Sequence, residues 1–142
     1  MIVGAVTIPA REGPVPAMLD PSGLQVLDRG QCLSLLATPG IGRVVFTTRG
    51  LPAVQPVRFA LATGAVTFAV PADSPLFVAV DDGVVAFETD AFDAAAETGW
   101  WVTVLGRARQ AGEDAVAWPV PTADDRSVEI PLDVVSGRRL VR

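Results

Sequence analysis

The chain contains no histidine and no tyrosine, and each absence removes a class of chemistry. Without histidine there can be no Ser-His-Asp or Cys-His relay, no histidine-bound zinc and no histidine-bound haem. Without tyrosine, no phenol can act as an acid. We therefore expect no metal site, and any catalysis must use carboxylates, arginines, backbone groups or a borrowed cofactor.

Lysine is absent too, so arginine supplies all 11 basic side chains against 16 acidic ones, and the formal net charge is −5. The arginines are scattered along the chain. A nucleic acid backbone binds to clustered cations that displace its counterions. We therefore expect no nucleic acid partner.

Cys32 is the one cysteine, so the chain cannot form an internal disulfide, and a lone thiol fits a reducing compartment. The apolar start, Met1 to Ala10, lacks the basic region with which a signal peptide begins, so it is a poor signal peptide. No stretch approaches the roughly 18 apolar residues that a membrane helix needs. We expect a cytoplasmic protein that does not contact membranes.

Half of the 142 residues are hydrophobic, which is enough for one core. Prolines and glycines dominate the start and predict an extended arm over residues 1–23, followed by a single domain over residues 24–142. Asp28 and Gln31 have the spacing of a capping box, so a short helix begins there. Pro39-Gly40 ends it, and its buried side consists of Cys32, Leu33, Leu35 and Leu36.

After this helix the hydrophobic pattern changes to that of strands separated by short turns, at Arg49-Gly50 and Thr63-Gly64 among others. A second short helix over 74–80 has Ser74 as its N-cap and Pro75 at its first position. An acidic connection is expected over 90–98. Six strands are predicted, over residues 41–48, 52–61, 65–70, 84–89, 100–110 and 128–134. The prediction is a mainly β, antiparallel barrel with short flanking helices, since a barrel hides its edges.

Six strands in a chain of this size leave apolar surface that a second subunit can cover, which favours a homodimer.

Four stretches, taken in order, resemble the pyridoxamine 5′-phosphate oxidase-like proteins, especially their small actinobacterial and nitroimidazole-resistance-like branch. The resemblance covers residues from about 27 to 110, and residues 135–140 are also similar. The stretches are Ile41-Gly42-Arg43-Val44-Val45-Phe46, Pro52 to Phe59, Val85 to Asp93, and Thr98 to Ala108.

This resemblance implies a six-stranded split β-barrel homodimer with flavin mononucleotide (FMN) sites at the subunit interface, and a flavin-dependent oxidoreductase of unknown substrate. In such a protein the second strand places a basic residue near the flavin, the third strand and its loop hold the ribityl chain and phosphate, and the long strand crosses from the second subunit. The matching residues are Pro56, Val57, Arg58 and Phe59, then Phe68, Ala69, Val70 and Ser74, then Trp100 and Trp101.

The phosphate loop departs from the family's pattern. It reads Ala72-Asp73-Ser74-Pro75 where the family usually has Ser-Lys or Arg-Lys, and a phosphate needs cations and free N–H donors. Two hypotheses follow. Either the chain binds FMN, or a deazaflavin in the same groove, or it has lost the flavin and acts as a dimeric ligand-binding or interaction module.

Several of these residues also have simpler interpretations. Arg58 can be an exposed strand residue paired with an acid. Trp100 and Trp101 point to opposite faces of one strand, so one is expected in the core and the other at an interface or ligand. Glu88 and Asp90 share a strand face and form either an acid/base pair or, more often in such positions, a solvated pair. Cys32 is expected to be inert core.

Overall fold

The computed structural model of the protein describes residues 18–62, 64–80, 83–112 and 122–141. The described residues form nine strands and two helices, so the mainly β prediction is confirmed and the predicted count of six strands is wrong. The elements are β1 (Gln25–Leu27), α1 (Arg29–Leu36), β2 (Gly40–Thr48), β3 (Leu51–Ala62), β4 (Ala65–Pro71), α2 (Pro75–Ala79), β5 (Val84–Asp93), β6 (Thr98–Arg107), β7 (Arg109–Gln110), β8 (Asp125–Pro131) and β9 (Val134–Leu140).

All nine strands belong to one antiparallel sheet in the order β1-β9-β6-β5-β2-β3-β4-β8-β7. The sheet curls, because β6 also contacts β8 although four strands separate them in the sheet order. Gly106 of β6 lies against the carbonyl oxygen of Pro131, and a side chain at this glycine would overlap that oxygen. The curl of the sheet therefore brings β6 and β8 into contact at this point.

The three-strand meander is confirmed, with β2, β3 and β4 paired in sequence. Arg49 and Gly50 join the first two strands with φ angles of 53° and 76°. Positive φ at both central residues is the geometry of a tight hairpin turn whose twist matches that of the strands. In the second turn Gly64 has a φ of 73°, while Thr63 lies outside the described residues.

The acidic connection expected over 90–98 is wrong. β5 continues to Asp93 and β6 begins at Thr98, so the two strands form one long hairpin. Phe92 explains the added length, because its ring lies over Gly99 on the facing strand, in the space that a side chain would occupy. Asp93 caps the turn by accepting a hydrogen bond from the amide of Ala96 (3.1 Å).

Two other predicted strands are divided. The strand expected over 100–110 breaks at Ala108, which is buried and whose amide donates to the Gly83 carbonyl (2.9 Å). The closing strand expected over 128–134 is two strands, which lie near opposite ends of the strand order. β8 pairs with β4, whereas β9 inserts between β1 and β6.

The core lies inside the curl and is built from one side of each long strand. Phe59 and Phe87 meet edge to face there, with ring centroids 4.9 Å apart, in a geometry that aromatic pairs favour. The largest side chains that are fully buried are Phe59, Phe68, Phe87, Leu36, Leu76 and Ile130.

Helix α1 begins with the predicted capping box. The Asp28 carboxylate accepts from the Gln31 amide (2.8 Å), and the Gln31 side-chain oxygen accepts from the Asp28 amide (2.8 Å). Cys32 and Leu36 are buried as predicted, and the helix ends at Leu36, before Pro39. Burial raises the pKa of the Cys32 thiol, which agrees with an inert core residue.

Asp28→Ala is expected to lower the free energy of unfolding by about 1 kcal/mol, because it removes the acceptor for an otherwise unpaired amide. Asp28→Asn keeps an acceptor oxygen and serves as the control. The measurement is the urea midpoint at constant m-value. Equal midpoints for Asp28→Ala and the wild type would show that this cap does not stabilise the fold.

Residues 1–17 of the expected extended arm lie outside the described residues, and the domain division at residue 23 remains a prediction. Just after them, Asp20 forms a small turn by accepting from the amides of Ser22 (2.9 Å) and Leu24 (3.0 Å). The bond from Leu24 contributes most to lowering the pKa of Asp20. The same carboxylate contacts Arg138 of β9 at 3.0 Å.

Neither described helix is long and apolar enough to span a bilayer.

The side chains that point away from the core on the five adjacent strands β3, β2, β5, β6 and β9 form a surface that we call the outer face. Large apolar side chains remain exposed on it, by 37% at Val45 and by as much as 63% at Val84. They are Ile41, Val45, Val54, Val84, Leu105 and Val134.

Candidate functional site

On β3, the four residues predicted to line a ligand divide between the two sides of the strand. Val57 and Phe59 are buried and belong to the core. Pro56 and Arg58 are exposed on the outer face. Of these four residues, Pro56 and Arg58 are therefore the ones whose side chains reach the surface.

The predicted residues of β4 are mostly core as well. Phe68 and Val70 are fully or almost fully buried, and Ala69, which is half-buried, lies between them. The strand alternation that places Phe68 and Val70 in one row was visible in the sequence, but the side they face depends on pairing with β3 and β8.

Ser74 is largely buried and acts as the N-cap of α2, as predicted. Its hydroxyl oxygen accepts from the Phe77 amide (3.1 Å), and its own amide donates to the Pro71 carbonyl (3.0 Å). The hydroxyl proton is not used in the cap bond, so it remains a donor for a neighbouring oxygen.

Asp73 lies between two grooves, each of which contains an arginine. One groove, of about 500 Å³, is lined by Thr47, Thr48 and Arg49 of the first hairpin and by Asp73, Pro75, Val78 and Ala79. The other, of about 350 Å³, is lined by Pro71, Ala72, Asp73, Asp124 and Arg126. Two guanidinium groups therefore border the loop whose own sequence offers a carboxylate and a proline.

Sequence reasoning missed both arginines. The sequence indicated that Arg49 is a turn residue and nothing more. Arg49 lies near α2 because α2 packs against β2. Arg126 lies on β8, which was not predicted to begin before residue 128. Both depend on contacts between segments distant in sequence.

The loop follows β4, the strand next to β3 in the sheet. The pairing of β3 with β4 ends at Phe59 and Phe68, and Pro71 comes three residues further along β4, where β4 pairs with β8. Arg58 directly precedes Phe59 on β3. At roughly 3.3 Å per residue, Pro71 therefore lies about 10 Å along β4 from the last residue pair, beside which Arg58 lies.

The two tryptophans lie on opposite faces of β6. Trp100 packs against the core and lines a groove of about 740 Å³ at the hairpin tip, together with Arg139 and Leu140. Trp101 is on the outer face, with its ring centroid 6.2 Å from that of Phe92. Because β5 and β2 separate β6 from β3, Trp101 and Arg58 are three strands apart, roughly 14 Å, within one chain.

An ionic cluster occupies the middle of the outer face. Arg43 of β2 contacts Glu88 at 2.6 Å and Asp90 at 3.2 Å through the same nitrogen, Nη1. Burial, followed by the neighbouring Asp90, raises the pKa of Glu88 to about 7. The two carboxyls do share a strand face, as predicted, and Arg43 is the partner that their spacing alone did not identify.

The model of the family described as pyridoxamine 5′-phosphate oxidase matches residues 28–139 of the chain. The chain belongs to this family. The match begins at the capping residue of α1 and extends almost to the end of β9, so it includes both helices and most of the sheet.

Relatives within and around the family agree with this assignment. The uncharacterized protein Rv0080 of Mycobacterium tuberculosis is 38% identical over 129 residues, in a match that covers 81% of this chain and 84% of the relative. The FAD binding protein from Mycobacterium smegmatis is 27% identical, with a TM-score of 0.69 over 83% of this chain and 99% of the other. An FAD-binding protein from Mesorhizobium loti, 18% identical with a TM-score of 0.70, covers the same shares and supports the fold.

Proposed function

We propose that the chain binds a flavin nucleotide, with FMN as the ligand, on the surface formed by Pro56, Arg58 and the loop from Ala72 to Pro75. The observation that carries this proposal is the pair of arginines, Arg49 and Arg126, bordering the loop that follows β4. Membership of the family and the likeness to the FAD binding protein of M. smegmatis support it.

The donor set fits an anion. A phosphate is bound most strongly by charge-assisted hydrogen bonds, and guanidinium groups supply several in a planar array. Arg49 and the hydroxyl of Ser74 would hold the phosphate from the side of the larger groove, and Arg126 would add positive potential from the smaller one. Asp73 opposes them, so we expect modest affinity for a dianionic phosphate.

A bound flavin would supply electron transfer, which suits a chain without histidine or tyrosine. The protein would orient the ring against Pro56 and Arg58 on β3. The guanidinium of Arg58 would stabilise negative charge near the ring. On this basis we propose a flavin-dependent oxidoreductase, with FAD and a deazaflavin as the alternative ligands.

We also propose that the protein is a cytoplasmic homodimer that associates through the outer face. The exposed apolar side chains of this face support the proposal, since contiguous apolar surface on a small protein marks an interaction site. A second copy would also bring a Trp101 towards the Arg58 of the first, which one chain keeps three strands apart. The lone thiol of Cys32 supports a reducing compartment.

Arg49→Ala is expected to weaken FMN about tenfold and to leave riboflavin unchanged, because riboflavin lacks the phosphate. Asp73→Lys is expected to strengthen FMN by a similar factor. Flavin fluorescence titrations with FMN, FAD and riboflavin give the dissociation constants. Arg109→Ala, which removes an exposed arginine that pairs with Glu129 on β8, is the matched control.

Arg58→Ala distinguishes two orientations. If Arg58 contacts the ring, FMN and riboflavin weaken alike, whereas a contact with the phosphate weakens FMN alone. A colourless protein that binds none of the three ligands, even as Asp73→Lys, would contradict the flavin proposal. It would favour the second candidate, a dimeric split-barrel interaction module, which the carboxylate and proline of Asp73-Ser74-Pro75 support.

A further inference from the structure

Side chains that lie opposite one another on adjacent strands form rows across the outer face. We call one of them the apolar row, because all of its side chains are apolar. Strand pairing along β3, β2, β5, β6 and β9 places its members in line, and they are Val54, Val45, Ala86, Leu105 and Val134. The four valine and leucine side chains are exposed by 37% to 62%, which marks the row as a surface for another protein.

The ionic cluster begins in the next row, two residues away on each strand. This second row consists of Pro56, Arg43, Glu88, Thr103 and Ser136. Arg43 on β2 and Glu88 on β5 are its charged members, and they contact each other at 2.6 Å. Opposite charges therefore lie on two adjacent strands, one strand spacing of ~4.8 Å apart.

We propose that a second copy covers these rows about a twofold axis that runs parallel to the strands, between β2 and β5. The inference rests on the homodimer of the proposed function and specifies how its two copies meet. Rotation about such an axis stacks β2 on the partner's β5, and β3 on the partner's β6, without shifting the rows. Val45 then faces the partner's Ala86, and Arg43 faces the partner's Glu88.

Side-chain sizes along the apolar row fit this position of the axis. Ala86 is the smallest member and leaves a notch between Val45 and Leu105. Val45 of each copy fills the notch of the other, and Leu105 meets the partner's Val54, so the two rows interdigitate as close packing requires. Stacked sheets cross at about 30°, so the residues beside the axis face each other most directly.

Charge complementarity supports the same position. Arg43 of each copy lies opposite the partner's Glu88, so charges of opposite sign meet across the axis. Arg58 faces the partner's Trp101, and an indole ring attracts a guanidinium. Among the described residues of the outer face, the remaining charged side chains avoid like charges: Asp90 faces Ile41, Arg107 faces Pro52, and Arg138 lies on β9, outside the four strands that overlap.

Other positions of the axis lose these matches. An axis along β5 stacks Glu88 on the partner's Glu88, and an axis along β2 stacks Arg43 on the partner's Arg43, so like charges repel. An axis between β5 and β6 places Arg43 opposite the partner's Ser136, and the ion pair across the axis is lost.

The overlap is large enough for a stable dimer. Four strands that are ~4.8 Å apart and ~30 Å long contribute roughly 600 Å² from each copy. The two copies together reach the ~1,200 Å² at which stable interfaces begin.

Single cysteines along the apolar row locate the axis, because a short bis-maleimide links a thiol only to a copy that lies close to it. Across sheets ~10 Å apart, Val45 lies one strand spacing from the partner's Val45, about 11 Å, whereas Leu105 lies three spacings from its copy, about 17 Å. We expect covalent dimers from Val45→Cys and Ala86→Cys, and none from Leu105→Cys. Leu105 is a matched control, since its exposure of 41% is close to the 37% of Val45. The wild type, whose one cysteine, Cys32, is buried, should not react.

A double variant tests the outer part of the same arrangement. Leu105 and Val54 are three strands apart within one chain but face each other between copies. Leu105→Cys/Val54→Cys should therefore form the covalent dimer that neither of its single variants forms.

Val45→Asp is expected to raise the dimer dissociation constant ~100-fold, because it buries a carboxylate against the partner's Ala86. Sedimentation velocity measures this constant. Val141→Asp changes a valine of nearly equal exposure (38%) beyond the end of β9 and should leave the constant unchanged.

The outcomes separate the axis from the homodimer. A wild-type chain that sediments as a monomer contradicts the homodimer, and the axis with it. A dimer with any other pattern of links overturns the axis and leaves the homodimer in place. Links in Leu105→Cys instead of Val45→Cys, for example, move the axis between β5 and β6. A dimer that shows no links and tolerates Val45→Asp overturns the outer face as the interface. Melting curves show whether each variant is folded.

Discussion

Phe87→Ala is expected to lower the free energy of unfolding by about 4 kcal/mol, the largest effect of any single substitution considered. The Phe87 ring is fully buried, meets Phe59 edge to face and fills the space above Gly42. Removing it takes away apolar contacts from both β2 and β3 and leaves a cavity. The surrounding strands cannot collapse into this cavity without losing their pairing.

Phe92→Ala on the same strand is the matched control. It removes the same side chain from a position that is 56% exposed, so we expect a loss of less than about 1.5 kcal/mol. Urea unfolding followed by tryptophan fluorescence measures both variants. If both variants lost the same free energy of unfolding, the side chains inside the curled sheet would stabilise the fold no more than exposed ones.

Gly106→Ala is expected to cost about 3 kcal/mol, although it adds a single methyl group. The methyl carbon would overlap the Pro131 carbonyl oxygen and lie 3.0 Å from Cγ2 of Ile130. The first of these is a backbone atom of β8, so the strand itself must move. The contact between β6 and β8 would have to open.

Gly112→Ala tests whether the cost comes from crowding or from the loss of a glycine. A Cβ at Gly112 meets no atom of the described residues within 4 Å, so this substitution should change stability by less than about 0.5 kcal/mol. Hydrogen exchange at β6 and β8 provides a second readout, since separation of the two strands would expose their amides to solvent. A Gly106→Ala protein as stable as the wild type would contradict close contact between these strands.

Features encoded by neighbouring residues were predictable from the sequence. The capping box at Asp28, the turn at Arg49-Gly50 and the N-cap at Ser74 each depend on residues within four positions, and all three are present. The same holds for the meander, because short turns force adjacent strands to pair.

Features that depend on distant contacts were not predictable. The acidic composition of residues 90–98 hid a hairpin whose length is set by Phe92 covering Gly99. The partners of the last two strands were hidden as well, since β8 pairs with β4 and β9 with β6, which are distant from them in sequence. β8 and β9 are neighbours in sequence but lie near opposite ends of the strand order.

The candidate site shows the same division. The resemblance named Pro56, Val57, Arg58 and Phe59 together, and Pro56 and Arg58 are the two that are exposed. Which arginines approach the loop at Asp73 depended on α2 packing against β2 and on the start of β8. Likewise, Arg43 pairs with Glu88 through strand register, which one strand's sequence does not contain.

The two ends of the sheet limit how the protein can aggregate. In the described part of the chain the outermost strands are β1, with three residues, and β7, with two. Such short margins present few unpaired backbone groups, so another chain finds little template for extending the sheet into a fibril. In the homodimer that we propose, association across the outer face about a twofold axis would use that face in both copies, so it would end at two chains and would not propagate into a filament.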